Sequence, residues 1–245
     1  MKRFAPVSKS SLIQSHQPTN HLDNLFAAPG RLAHVFDQPF ATFAPIHYEP
    51  RYAYPLVVWL HDSDSSEQEL KHVMPLVSMR NYVAIAPRGT SENRRGNFGW
   101  RQTSEAIESA NTRISECIAI AKERFHIHDE RVFLAGRGTG GTMALRTAWS
   151  DPDRYAGVVA INGPLPRQFS PLRRVNELRR VPCLLTTSRD SQKYPSDQVC
   201  QDLRLLHVAG CTVALRQYPA GDELTSNMLS DLDRWLMDRV CGSHS

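Results

Sequence analysis

The chain has 245 residues, a length that suits one sizeable folded core. Hydrophobic residues make up 41% and charged residues 22%, which is typical of a soluble globular protein. The formal net charge of +4 is only mildly basic, so we expect no nucleic-acid partner, because nucleic-acid binding usually requires a dense positive surface.

Five cysteines are scattered along the chain and form no C-x-x-C pair. Their positions are Cys117, Cys183, Cys200, Cys211 and Cys241. Because no metal-ligand spacing appears among them, we expect reduced thiols, no metal centre, no cofactor and a cytoplasmic location. No run of about 18 apolar residues occurs, so no membrane span is predicted.

Residues 1–27 are polar and lack periodicity, which predicts a flexible N-terminal leader, and residues 28–245 are predicted to form a single domain. A strand-like stretch from Arg31 to Tyr48 breaks at Pro39. Six short apolar runs follow, of the kind buried on both faces of a parallel sheet. They are Leu56–Leu60, Tyr82–Ala86, Arg131–Ala135, Gly157–Ile161, Cys183–Thr187 and Thr212–Tyr218.

Segments whose apolar residues have helical spacing lie between or after several of these runs. Apolar residues recur every three or four positions between Ile107 and Phe125, and again between Met228 and Leu236, so each set lines one helix face. Thr103 or Ser104 could cap the first of these helices. The alternation predicts an α/β fold with a mostly parallel central sheet and helices on both faces. Ligands bind such sheets at the carboxyl ends of the strands.

The segment RVFLAGRGTGGTMALRTAW has the pattern of a strand, a tight glycine turn and a helix. Gly136, Gly138 and Gly141 satisfy G-x-G-x-x-G, which in dinucleotide-binding proteins places a pyrophosphate at a helix N-terminus. At least two buried strands precede this turn, however, and the next strand ends at Asn162 instead of an acidic residue for a ribose. Nucleotide binding through Gly136–Gly141 stays open as an alternative.

The same turn fits the nucleophile elbow G-x-S-x-G, in which a serine occupies a strained strand-to-helix turn between two small residues. Gly136 and Gly140 hold the flanking positions, and Gly138 stands where the serine would be. Glycine relieves a strain on the order of 1–3 kcal/mol in such a turn. It offers no oxygen to attack a carbonyl. A glycine-rich turn without catalytic ancestry is the plainer interpretation of this segment alone.

Taken in order, the motifs resemble the phospholipase/carboxylesterase group of α/β-hydrolases, especially small bacterial esterases and polyhydroxybutyrate-depolymerase-like proteins. The resemblance runs from about Tyr48 to the C-terminus. It rests on YPLVVWLHDSDSSE, AIAPRGT with the later FGW, FLAGRGTGGTMAL, CLLTTSRD and QYPAGDELTSNMLSDLDRWL. It implies an α/β-hydrolase fold and, by analogy with similar esterases, a possible homodimer.

The resemblance also implies a catalytic triad in the chain order Ser, Asp, His. Gly138 stands at the serine position, Asp190 matches the acid, and Asp222 stands at the histidine position. A carboxylate cannot replace histidine as a base poised near neutral pH. Of the three implied triad members, only the acid therefore remains.

The oxyanion loop departs from the family pattern as well. The family's His-Gly-x-Gly reads His61-Asp62-Ser63-Asp64 in this chain. Asp62 and Asp64 bring negative charge beside donors that would stabilise an oxyanion, among them the backbone N–H of Thr139. This charge opposes the purpose of those donors.

Together these departures predict a catalytically inactive homologue, a pseudoenzyme with a binding or regulatory role toward an unknown small molecule or protein. An enzyme with rewired, non-serine chemistry is the alternative. Trp100 and Arg137 are candidate pocket residues. An acidic site for a cation or an amine is a further hypothesis, with turn and cap roles as the plainer interpretation. Its members would be Asp62, Asp64, Asp190 and Asp222.

Overall fold

The computed structural model of the protein describes residues 39–93, 95–167 and 175–242. The predicted leader and the first part of the strand-like stretch lie outside these residues. Within the three described ranges, no helix combines the length and the apolar character needed to cross a membrane.

Nine strands are present in the described chain. They are β1 (Phe40–Phe43), β2 (Tyr54–Leu60), β3 (Val83–Pro87), β4 (Ser91–Glu92), β5 (Phe98–Gly99), β6 (Ile127–Arg137), β7 (Gly157–Ile161), β8 (Cys183–Ser188) and β9 (Val213–Tyr218). Seven of them form one sheet in the order β1-β3-β2-β6-β7-β8-β9, in which only the β1–β3 pair is antiparallel. β4 and β5 form a small separate ribbon.

Within the described residues, six α-helices connect or follow the strands. They are α1 (Leu70–Val77), α2 (Ser104–Arg124), α3 (Thr139–Ser150), α4 (Val175–Leu178), α5 (Ser196–Val208) and α6 (Ser226–Gly242). Thr103 caps α2, since its side chain accepts the N–H of Ala106 at 3.4 Å. The predicted mostly parallel sheet with interspersed helices is confirmed.

The sheet separates two apolar cores. On one face, α2 and α3 bring side chains such as Ile114 and Trp149 against Leu134. On the other face, α1 and α6 do the same against Trp59. Successive residues of β2 alternate between these cores, which explains why the run appears wholly apolar in the sequence.

β6 is longer than the five-residue strand that its apolar run predicted. It begins at Ile127, which pairs with Tyr54, and it continues through a polar segment before it reaches the core. A register shift separates the Ile127–Tyr54 pair from the regular pairing with β2, which begins at Val132. The apolar run in the sequence thus identifies only the part of β6 that is covered by helices on both faces of the sheet.

The turn after β6 brings the start of α3 against β2. Gly138 has φ 52° and ψ −122°, a backbone conformation that strongly favours glycine. A Cβ on Gly136 would lie 2.8 Å from the carbonyl oxygen of Leu60, and a Cβ on Gly140 would lie 2.6 Å from the carbonyl carbon of the same residue. Glycine at positions 136 and 140 therefore lets the helix approach the sheet.

We expect Gly140→Ala to lower the free energy of unfolding by on the order of 3 kcal/mol, because the added methyl group meets backbone that cannot rotate away. This loss outweighs the gain of up to about 1 kcal/mol that alanine brings to a helix. Urea denaturation measures the effect. Gly242→Ala is the matched control, since a Cβ there meets nothing within 4 Å. Equal stability of the two variants would contradict the prediction.

Candidate active site

The loop after β2 carries the Asp62 carboxylate to the turn between β6 and α3. Asp62 is only 1% exposed. Its Oδ1 accepts the backbone N–H of Ser63 at 2.7 Å and that of Thr139 at 3.1 Å, and the Thr139 hydroxyl lies 3.4 Å away. A Cβ on Gly138 would lie 2.6 Å from Oδ2 of Asp62. The carboxylate therefore fills the space into which a side chain at position 138 would project.

Lysine and arginine side chains surround the second oxygen of this carboxylate. Lys193 Nζ donates to Oδ2 at 2.7 Å, and Arg137 Nη2 lies 3.8 Å from the same atom. Burial raises the pKa of Asp62, but the hydrogen bonds from Lys193, Ser63 and Thr139 outweigh it and hold that pKa below its ordinary value. Asp62 is therefore ionised at neutral pH.

His61 is a buried structural residue that connects two loops. Its Nε2 accepts the backbone N–H of Gly89 at 3.0 Å, and its Nδ1 lies 2.8 Å from the carbonyl oxygen of Asp62. Because a backbone N–H can only donate, Nε2 carries the lone pair and Nδ1 the proton. Burial lowers the pKa of His61, in agreement with a neutral ring.

Asp222 and Asp190 have different surroundings. Asp222 accepts the Ser191 hydroxyl and the backbone N–H groups of Gln192 at 3.1 Å and Lys193 at 3.4 Å. Asp190 is exposed, and its Oδ1 lies 3.3 Å from Nε of Arg189. Asp222 thus caps the loop that positions Lys193, whereas Asp190 takes no part in that network.

The described residues do not assemble the acidic cation site. Each carboxylate already has protein donors or lies in solvent: Asp64 is exposed, 4.0 Å from Lys193 at its nearest approach. Among residues 39–93, 95–167 and 175–242, no group of three or more His, Cys, Asp or Glu side chains could hold a metal ion. Lys193, which the sequence analysis missed, is the reason that Asp62 needs no external cation.

Of the two candidate pocket residues, one is a core residue. Trp100 is 3% exposed and packs in the core beside α2, and its indole N–H donates to the carbonyl oxygen of His61 at 2.9 Å. Trp100 therefore belongs to the core, where its only polar atom finds an acceptor inside the protein. Arg137 does line a cleft, of about 550 Å³.

Residues 92–237 match the sequence profile of the Phospholipase/Carboxylesterase family, which is more than half of the chain. This protein belongs to that family. A probable carboxylesterase SOBER1-like protein from Arabidopsis thaliana is 23% identical over 210 residues, which cover 77% of this chain and 80% of the relative. Carboxylesterase SOBER1 from the same plant is 24% identical over 143 residues, 58% of this chain and 60% of the relative.

Solved carboxylesterase structures share the fold. A carboxylesterase from Mesorhizobium loti superposes with a TM-score of 0.70 at 17% identity, over 87% of this chain and 99% of that one. The Bacillus cereus carboxylesterase gives 0.67 at 13% identity, over 85% and 97%. The predicted α/β-hydrolase fold is confirmed.

Within this carboxylesterase-family fold, the geometry around Asp62 has two chemical features. Two backbone N–H groups converge on one oxygen at 2.7 and 3.1 Å, the spacing with which an oxyanion hole holds a developing negative charge. The donor from Thr139 is also the N–H that a phosphate would use at the start of α3. Since a carboxylate holds it, the arrangement disfavours a pyrophosphate at Gly136–Gly141.

We expect Asp62→Ala to lower the free energy of unfolding by about 2 kcal/mol, because two partly buried N–H groups lose their acceptor. Asp64→Ala is the matched control: this neighbouring carboxylate is exposed, and its removal should change stability by less than about 0.5 kcal/mol. Chemical denaturation at pH 7 measures both. Equal effects would show that the contacts of Asp62 contribute nothing beyond those of a surface residue.

His61 should make stability depend on pH. Its folded-state pKa lies below the ordinary 6.5, so the unfolded chain binds a proton that the folded chain rejects. The contribution of neutral His61 to the free energy of unfolding is therefore fully present above pH 6.5. It falls as the pH drops toward the folded-state pKa, by at most about 1.4 kcal/mol per pH unit.

Urea denaturation of His61→Asn and of the exposed control His72→Gln between pH 5 and 8 measures this contribution. His61→Asn should show a shallower pH dependence of stability than wild type, at a lower overall stability. An unchanged slope in His61→Asn would refute the assignment.

Proposed function

We propose that this family member does not hydrolyse esters by a serine mechanism and acts instead as a binding or regulatory protein on a hydrolase scaffold. The observation that carries the proposal is the contact between Gly138 and Asp62. By the resemblance to the family, position 138 is the nucleophile position. It holds no side chain, and a carboxylate occupies the space beside it.

Electrostatics support the proposal independently of the missing serine. Attack on an ester creates negative charge on the former carbonyl oxygen, which an oxyanion hole stabilises with preorganised donors. The N–H groups of Ser63 and Thr139, the candidate donors, already bind Oδ1 of Asp62. An ester oxygen would have to displace an ionised carboxylate that is part of the same chain, and would otherwise meet its repulsion.

The residue at the position of the catalytic histidine also supports the proposal. Asp222 stands where the family would place histidine, and its carboxylate holds the loop at Ser191, Gln192 and Lys193. A group committed to these donors cannot activate a nucleophile without releasing that loop. The rewired, non-serine alternative has no comparable support, since both Asp62 and Asp222 are engaged with protein donors.

The direct test is activity of the unaltered protein. We expect wild type to leave a fluorophosphonate probe unreacted and to hydrolyse p-nitrophenyl butyrate no faster than buffer, because position 138 offers no nucleophile. Hydrolysis above that background, or a serine labelled by the probe, would overturn the proposal. A melting curve of the same sample shows that it is folded.

Reversion tests the positions themselves. A serine at position 138 would collide with the Asp62 carboxylate, so Gly138→Ser with Asp222→His is expected to stay inactive. The triple variant that adds Asp62→Gly vacates the N–H groups of Ser63 and Thr139, and we expect it to react with the probe. If the double variant is as reactive as the triple variant, Asp62 does not block the site.

A further inference from the structure

A cleft of about 550 Å³ opens beside the turn after β6, between the loop after β2, α1 and the start of α6. Its volume falls within the range of small-molecule sites. One wall is apolar and consists of Val73, Leu76, Leu224 and Leu229. Leu76 is 58% exposed, so its side chain can be contacted from solvent.

Arg137 lines the same cleft, and its guanidinium forms an ion pair with Asp62 but no hydrogen bond to any described residue. Its Nη2 lies 3.8 Å from Oδ2 of Asp62, too far for a hydrogen bond, and Lys193 already binds that oxygen at 2.7 Å. Among the described residues, the buried Nε of Arg137 has no hydrogen-bond partner. The Arg137 side chain is 24% exposed and lines the cleft, so a ligand in the cleft can contact it.

The charges around the cleft select the kind of anion. Asp64 and Glu69 also line it, so a dianion such as phosphate would meet two carboxylates with one guanidinium to offset them. A planar monoanionic carboxylate matches the guanidinium fork and carries only one negative charge. The apolar wall favours a hydrocarbon body on the same molecule.

We propose that this cleft binds a small organic acid, with its carboxylate on Arg137 and its hydrocarbon part against the wall formed by Leu76 and Leu224. The inference rests on the proposed binding role and gives it a ligand class. A binding measurement tests whether the cleft holds an organic acid, whereas an activity measurement tests whether the protein hydrolyses esters. Each proposal can therefore fail without the other.

The test titrates sodium hexanoate into the full chain and follows saturation-transfer NMR signals of the ligand. We expect binding with a Kd of about 1 mM or tighter, and weaker binding of acetate, by up to roughly fourfold for each methylene group lost. Arg137→Gln should weaken hexanoate binding by about tenfold or more, and Arg137→Lys by less. Arg204→Gln, an exposed position on α5 outside the cleft, is the matched control.

A second variant keeps the test decisive if Arg137→Gln is poorly folded. Leu76→Glu changes an exposed residue, so it should fold normally, and the new negative charge on the cleft wall should weaken hexanoate binding. Three results would each overturn the proposal. The first is no hexanoate binding at about 10 mM, and the second is equal affinity in wild type, Arg137→Gln and Leu76→Glu. The third is tighter binding of hexylamine or inorganic phosphate than of hexanoate.

Discussion

The Asp62 carboxylate joins three segments at the carboxyl edge of the sheet: its own loop after β2, the first turn of α3 and the loop after β8. A buried carboxylate without partners would be strongly destabilising or would take up a proton. Here each oxygen has charged or backbone donors, with Thr139 on one and Lys193 on the other. Because the donors come from segments far apart in sequence, the carboxylate and the local fold stabilise each other.

The three glycines of the turn have different physical roles. Gly136 and Gly140 are small because α3 packs closely against the backbone of β2. Gly138 adopts a conformation that a serine can also hold at some strain, so backbone geometry alone does not require glycine there. What requires it is the carboxylate of Asp62. A side chain at position 138 and the observed Asp62 conformation exclude each other, so the residues at positions 62 and 138 are coupled.

The sequence was sufficient to predict the strands between helices, since a residue run buried on both faces has only apolar members, as in Gly157–Ile161. It was also sufficient to predict that Asp62 and Thr139 meet, through the family's loop order. It could not predict Lys193, which lies 131 positions away and has no motif of its own. Nor could it predict that the carbonyl oxygen of His61 accepts the indole N–H of Trp100.

The same contact determines where a ligand can bind. An intramolecular carboxylate competes with any external anion at an effective concentration that dissolved ligands rarely reach. A small molecule therefore cannot use the donors of Ser63 and Thr139, even though their geometry suits one. Lys193 donates to the same carboxylate. Arg137 follows Gly136 directly and lies on the cleft, outside hydrogen-bonding reach of Asp62. The guanidinium of Arg137 is thus the group to which we assign ligand recognition.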